Sequence, residues 1–298
     1  MDIREFGKVM LREVGDMLGG GYDIELKDIE KNNGIIRHAL VIRKEEDNVA
    51  PTIYLDDIHR QYEDGAMLMM LVKNVVDTYR QCRPSRLNDM SFFMDFSRVA
   101  PKLYFKVVNF ERNRNKLENI PYRKVLDLAL VPLCRFISET IGDGCITIQN
   151  SHLRAWEITR EELWENVFES APKVAPLKIT GLMDYMEGVM GQNMFGDVAC
   201  EINIATNSSM YYGASAIFYP DMLKEMAEDY ESNLFIIPSS VHETLIIPDT
   251  NMMMDVESLR SIICQVNSTT VSDEEILSDN LYLYDRESGS FFIVKNNE

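Results

Sequence analysis

The sequence predicts an α+β protein with antiparallel-rich mixed sheets and helices packed on one face. Two observations carry that expectation. A pair of extended segments followed by a helix recurs about four times: 22–43 with 57–82, 125–149 with 159–171, 201–218 with 220–231, and 234–248 with 255–267. Short turns, at Asn32-Asn33-Gly34 and at Glu287-Ser288-Gly289, join neighbouring extended segments, and a tight turn connects antiparallel strands only. No residue pattern repeats among the units, so they share topology alone. A regularly alternating doubly wound fold is disfavoured.

Ile3, Phe6, Val9, Met10, Val14, Met17 and Leu18 recur at three- and four-residue spacing and give the first helix one apolar face. Asp2 caps its start and Gly19-Gly20-Gly21 ends it. Those glycines follow a helix, whereas a phosphate loop follows a strand and opens a helix, so they read as a C-cap. Residues 22–31 and 35–43 form a hairpin, and 52–55 a short strand. Asp56 and Asp57 then cap a helical stretch that breaks at Gly65 and resumes to about Cys82. Its segment 67–72 is apolar on every face, which predicts deep burial. A polar turn and a short helix through Phe92, Phe93 and Phe96 follow, then a strand at 103–109. The basic segment 111–124 reads as a solvated loop, since it lacks the interleaved aromatics of a nucleic-acid patch.

Residues 125–137 are strand-like, with Pro132 pointing to a sheet edge or a bulge. Gly142-Asp143-Gly144 turns the chain into 145–148. Thr159 and Glu162 make a capping box for a helix carrying Leu163, Trp164, Val167 and Phe168. Met183, Met186 and Met190 suggest a short flap-like helix. A strand at 201–206 and the turn Asn207-Ser208-Ser209 lead into the clearest stretch of the chain: strand 213–219, a helix opened by Pro220, strand 234–237, a polar hinge at 238–243, and strand 245–247. Asp255 caps a helix through Val256, Leu259, Ile262, Ile263 and Val266, and Ser272 with Glu275 marks a further capping box. A hairpin of 281–284 with 291–294 closes the pattern.

The 298 residues suffice for one large or two ordinary domains, and the expected division is an N-terminal α+β domain at 1–115 and an acidic C-terminal one at 116–298, unless the two form one unit. No apolar run approaches the ~18 residues needed to span a bilayer, and the charged N-terminus lacks the apolar segment of a secretory signal. Cys82, Cys134, Cys145, Cys200 and Cys264 are odd in number and mostly set among apolar neighbours, as buried thiols of a reducing cytoplasm are. The charge is lopsided. Residues 1–150 hold 22 bases and 23 acids, whereas 151–298 hold 8 bases and 25 acids, a net of −17 out of −18. Such a surface repels nucleic-acid backbones and anionic membranes; it serves solubility first, and the sharper reading is an acidic face that docks on a basic partner.

No metal or cofactor is expected. The four histidines (His38, His59, His152, His242) are scattered, and no zinc spacing, Walker loop, dinucleotide fingerprint or nucleophile elbow occurs. The hinge supplies the one suggestive polar set, Ser239, Ser240, His242 and Glu243, whose hydroxyl, imidazole and carboxylate are the groups of acyl-transfer chemistry. In an extended segment Ser240 and His242 would share one face and Glu243 the other, which is poor for a self-contained triad. Structural hydrogen bonding by the serines and the histidine is the competing role.

Gly213-Ala214-Ser215-Ala216-Ile217-Phe218-Tyr219-Pro220, Pro238-Ser239-Ser240-Val241-His242-Glu243 and Leu277-Ser278-Asp279-Asn280-Leu281-Tyr282 resemble the signature blocks of a bacterial family known only as a domain of unknown function, over about residues 35–290. The order of elements is more distantly similar to a second uncharacterised bacterial family. The resemblance implies a cytoplasmic bacterial protein with a family-typical hinge at 238–243, and it brings no activity. The expected function is therefore binding of another protein through the acidic C-terminal half. The alternative is a hydrolase or small-ligand enzyme at the Ser240/His242/Glu243 hinge, and a third reading is a nucleic-acid mimic.

Overall fold

The first helix, α1 (Ile3–Leu18), forms where the spacing places it. The Asp2 carboxylate accepts the Glu5 N–H at 2.8 Å, and Gly19 leaves the helix at φ 81°. The computed structural model describes residues 1–44, 50–82, 90–138, 142–184, 202–249 and 255–295. The chain falls into two units, residues 1–91 with 136–144 and residues 92–135 with 145–298.

In the first unit, β1 (Tyr22–Glu30) pairs antiparallel with β2 (Ile36–Lys44), Tyr22 opposite Lys44 and Glu30 opposite Ile36, and β3 (Thr52–Tyr54) joins the other edge of β2. The connecting turn places Asn33 at φ 59°, a conformation asparagine tolerates. α2 (Asp56–Glu63) and α3 (Leu68–Cys82) follow. Phe6, Met10 and Val14 of α1 share one core with Leu40 and Ile42 of β2 and with Leu71, Val72, Val75, Val76 and Tyr79 of α3. Each such side chain contributes roughly 1.5–3 kcal/mol when fully buried.

Two expectations fail here. Segment 67–72 is not deeply buried throughout: Met67, Met69 and Met70 are 74%, 53% and 52% exposed. A helix lying on a core has one inward stripe, and residues 71, 72, 75, 76 and 79 already form it. Asp56 and Asp57 do not cap α2, whose N-cap is Leu55 without a side-chain bond; Asp56 instead accepts the backbone N–H of His38 at 3.0 Å.

The second unit opens with a one-turn helix, α4 (Phe96–Val99), and β4 (Leu103–Asn109). The basic segment is more ordered than a loop, holding α5 (Arg114–Leu117) and β5 (Arg123–Val125). β6 (Leu128–Ser138) is the central strand of a four-stranded sheet, with β4 on one side and β5 and β7 (Gly142–Thr147) also paired to it. Pro132 therefore sits in mid-sheet, opposite Phe105, not at an edge; it lacks a donor, but its carbonyl accepts Ile148 N–H at 3.0 Å. The glycines at 142 and 144 lie inside β7 rather than in a turn.

α6 (Asn150–Trp156) precedes α7 (Arg160–Val174), whose predicted capping box is complete: Thr159 Oγ1 accepts Glu162 N–H at 3.1 Å and Glu162 accepts Thr159 N–H at 2.7 Å. α7 is fastened to its surroundings through Trp164 Nε1, which donates to Pro121 O at 2.7 Å, and Ser170 Oγ, which donates to Leu103 O at 2.6 Å. β8 (Leu177–Gly181) follows. Of the flap suggested by Met183, Met186 and Met190, Met183 lies in a helical turn at 182–184 and the rest lies outside the described residues.

The organising element is a six-stranded antiparallel sheet. Its order is β13-β12-β10-β11-β9-β8, from β9 (Asn203–Asn207), β10 (Leu234–Ile237), β11 (Thr244–Pro248), β12 (Tyr282–Asp285) and β13 (Ser290–Ile293) with β8. All four residues of β10 are buried, as a central strand covered on both faces requires. One face packs on α9 (Val256–Thr269), with Leu259 and Ile263 against Phe235, Ile237, Ile247 and Leu281. Asp255 caps α9 through Ser258 N–H at 2.7 Å.

Residues 213–219 do not form the predicted strand. They wind as a 3-10 segment, Gly213–Phe218, whose first five residues are buried, and then lead into α8 (Met222–Asp229). Tyr212 at φ 54° turns the chain there, and Ser215 N–H bonds back to Tyr212 O, so the run finds its partners locally. The Ser272/Glu275 pair starts no helix; it closes a turn in which Glu275 N–H reaches Ser272 O at 2.8 Å. Cys134 is buried, and burial pushes its thiol up to about 12, whereas Cys145 and Cys264 are exposed.

Candidate functional site

Each sheet strand ends at a loop, and the loop between β10 and β11 is the polar hinge. Its first two serines hold the turn. Ser239 N–H bonds to Ile237 O at 2.9 Å and Ser240 N–H to Glu243 O at 3.2 Å, while Ser239 Oγ donates to Glu243 Oε1 at 3.4 Å. Ser240 Oγ accepts the backbone N–H of His242 at 3.0 Å. Ser240 and His242 thus meet through a hydroxyl and a backbone amide, not through the imidazole.

The ring of His242 is fixed from both sides. Nδ1 accepts the Tyr212 backbone N–H at 3.2 Å, and Nε2 faces Glu275 Oε1 at 3.4 Å. An accepting Nδ1 puts the proton of the neutral ring on Nε2, pointing at the carboxylate. The carboxylate partner is Glu275 from the turn before β12, and Glu243 lies instead with Ser239.

Two of the segments singled out in the sequence interlock here. Ala214 N–H donates to Val241 O at 3.3 Å, Val241 N–H to Glu275 O at 2.9 Å, and Thr206 Oγ1 to His242 O at 2.8 Å. Gly213 is the point of closest approach. A Cβ there would stand 2.0 Å from Thr206 Oγ1 and 2.5 Å from His242 O, so no other residue fits.

Sequence reasoning missed what stands over the hinge. Tyr211 and Tyr212 have ring centroids 4.2 Å apart, and His242 lies 5.2 Å from Tyr211 and 5.9 Å from Tyr212, nearly parallel to the latter. Lys106 Nζ sits 4.7 Å above the Tyr212 ring. Burial, then the hydrogen bond its hydroxyl donates to Tyr211 and the nearby Cys145 and Glu274, pushes the Tyr212 hydroxyl well above the usual tyrosine range. Asn207, fully buried, presents the loop: its Nδ2 donates to Tyr211 O at 3.0 Å and its Oδ1 accepts Ser209 N–H at 3.1 Å. Met210 and Tyr212 are both left-handed, at φ 55° and 54°, while Met210 and Tyr211 stay 54% and 52% exposed. The available signal was the turn-forming Asn207-Ser208-Ser209 directly before Met-Tyr-Tyr-Gly.

A second feature occupies the opposite end of the β10–β11 hairpin. Glu231, Ser232, Asn233, Asp249, Asp285, Arg286 and Glu287 line an open depression of about 900 Å³. Its floor is tied down by backbone donors, Asp249 N–H to Ser232 Oγ at 2.9 Å and Arg286 N–H to Asn233 Oδ1 at 3.0 Å. Hydrogen bonds from Ser288 hold the Asp285 carboxyl below the usual carboxylate range.

The third signature segment is a knot rather than a surface. Asp127 accepts Ser278 Oγ at 2.6 Å, Asn280 Nδ2 at 2.9 Å and Tyr282 OH at 2.8 Å. Burial and Asp127 together push the Tyr282 hydroxyl far up. Asn267 Nδ2 adds bonds to Ser278 O and Asp279 Oδ1, at 3.0 and 2.8 Å.

Among the described residues no group of three or more His, Cys, Asp or Glu is arranged to hold a metal ion, and no helix is long and apolar enough to cross a membrane. Fold and site together define an α+β protein built on antiparallel sheets, with two polar clusters at the opposite ends of one central hairpin. The chain belongs to a family of unknown function, DUF5688, whose model matches residues 3–286. No curated protein and no solved structure matches it.

Proposed function

We propose that this protein acts by binding a basic protein partner on the acidic face of its C-terminal half, in the cytoplasm of a bacterium and away from nucleic acid and membrane surfaces. The observation that carries the reading is the depression at one end of the central hairpin. Glu231, Asp249, Asp285 and Glu287 line it with a single basic residue, Arg286. The half of the chain that builds it carries 25 acids against 8 bases. Carboxylates grouped on a concave surface focus the field and steer a basic partner in.

The hydrolase alternative draws less support. A general base needs a free ring nitrogen facing its nucleophile, and His242 spends Nδ1 on the Tyr212 amide while Nε2 faces Glu275.

The test is fluorescence anisotropy with fluorescein-labelled octa-lysine and octa-arginine. Affinity should fall several-fold between about 20 mM and about 150 mM salt as the screening length shortens. The neutralised variant Glu231→Gln/Asp249→Asn/Asp285→Asn/Glu287→Gln should bind about fivefold or more weakly at the lower salt. Salt-insensitive binding, or a variant that binds like the native chain, sinks the proposal.

A further inference from the structure

The Tyr211 platform and the acidic depression lie at opposite ends of the same hairpin, and the platform has features that acidity alone does not explain. A loop held in left-handed backbone at Met210 and Tyr212 lifts an aromatic ring and a methionine into solvent. Burying them inward would cost the chain nothing in hydrophobic terms, so their exposure is maintained by the Asn207 bonds beneath. Beside the exposed ring stand Tyr212 and His242, and the Glu275 carboxylate follows 3.4 Å from His242 Nε2. Among the described residues no Lys or Arg pairs with Glu275, whose one ion-pair contact is the His242 ring.

We infer that Tyr211, with Tyr212, His242 and Glu275, forms a receptor for an arginine side chain of the basic partner. The chemistry of the parts points to a cation. Tyrosine faces attract cations through the ring quadrupole, and the protein already places one there, Lys106 over Tyr212. Arginine fits better than lysine because a planar guanidinium stacks on a ring face while its edge donates to a carboxylate. Tyr211 offers the ring, and Glu275 lies on the far side of the His242 ring from the Tyr212 amide. Met210 supplies apolar cover at the rim, and methionine and tyrosine are residue types that protein interfaces favour. The proposal rests on the reading that the partner is a basic protein. It adds which side chain the partner inserts and where.

Anisotropy with labelled octa-arginine at about 150 mM salt tests it, with octa-citrulline as the uncharged isostere. Tyr211→Ala and Glu275→Gln should each weaken octa-arginine binding by about two- to tenfold, whereas Tyr211→Phe, which keeps the ring face, should stay close to native. Octa-citrulline should not bind. Melting temperatures of the three variants check that each is folded, and since Tyr211 is half exposed none should shift appreciably. If octa-arginine binds with the expected salt dependence but Tyr211→Ala and Glu275→Gln bind like the native chain, the arginine receptor is wrong and the acidic docking face stands. If octa-arginine shows no salt-dependent binding at all, both readings fall.

Discussion

The Asp127 knot and the His242 loop are built from the same kinds of residue and finish in opposite states. In the knot, three side-chain donors converge on one carboxylate, and Ser278 and Tyr282 are almost fully buried, each about 1% exposed. At the loop, a histidine, two tyrosines and a glutamate also meet, but the imidazole side chain remains 26% exposed and the glutamate 45%. Satisfied and buried polar groups specify a fold, because any lost partner leaves a desolvated donor behind. Polar groups held in place yet open to water retain the capacity to meet something else. The two regions separate a structural use of polar residues from an interactive one within one unit of the chain.

The largest effect should come from breaking the knot. Asp127→Ala leaves the hydroxyls of Ser278 and Tyr282 and the amide of Asn280 without their acceptor. The expected cost is about 3–4 kcal/mol of unfolding free energy by urea denaturation, with no change in octa-arginine affinity while the protein is folded. A cost under about 1 kcal/mol would mean that water replaces the carboxylate and that the knot is no more protected than the loop.

Gly213→Ala tests how tightly the loop region is built. The added Cβ would meet the His242 carbonyl, a backbone atom that cannot swing aside, so about 2–3 kcal/mol should be lost. Because Tyr212 and His242 flank that contact, the same variant should also disturb the platform and weaken octa-arginine. Loss of stability with unaltered peptide affinity would uncouple the Gly213 contact from the rings above it.

The helix caps that held are local, although the Asp56/Asp57 cap and the Ser272/Glu275 box, read by the same rule, failed. Asp2, Thr159 and Asp255 each bond an amide three residues on, and the sequence shows both partners at once. The antiparallel sheets were legible for a similar reason, since the hairpin turns lie between the strands they join. Residues 213–218 misled because small apolar side chains suit a buried strand and a buried 3-10 turn equally well, and the choice is made by Thr206 and His242 pressing on Gly213. The Asp127 knot could not be read because its partners lie 151 to 155 residues away. At the hinge the sequence shows the loop but not its company: Ser240 and Glu243 are neighbours of His242 in the chain, while Tyr212 and Glu275 meet its ring in space. Pro132 shows the remaining kind of failure, where a general preference for sheet edges yields to a central position in which only one donor is missing.

The smallest effect should come from Ser240→Ala, and it separates the two roles of the hinge. The hydroxyl accepts the His242 amide at 3.0 Å in a partly exposed turn, where water can take its place. Its removal should cost about 0.5–1 kcal/mol. Octa-arginine affinity should be unchanged, because the hydroxyl touches neither ring nor carboxylate of the platform. A stability change of that size with native binding assigns Ser240 to the turn. A native melting curve accompanied by loss of hydrolysis toward a p-nitrophenyl ester would instead make Ser240 a nucleophile, and His242 would then have to release the Tyr212 amide to serve it.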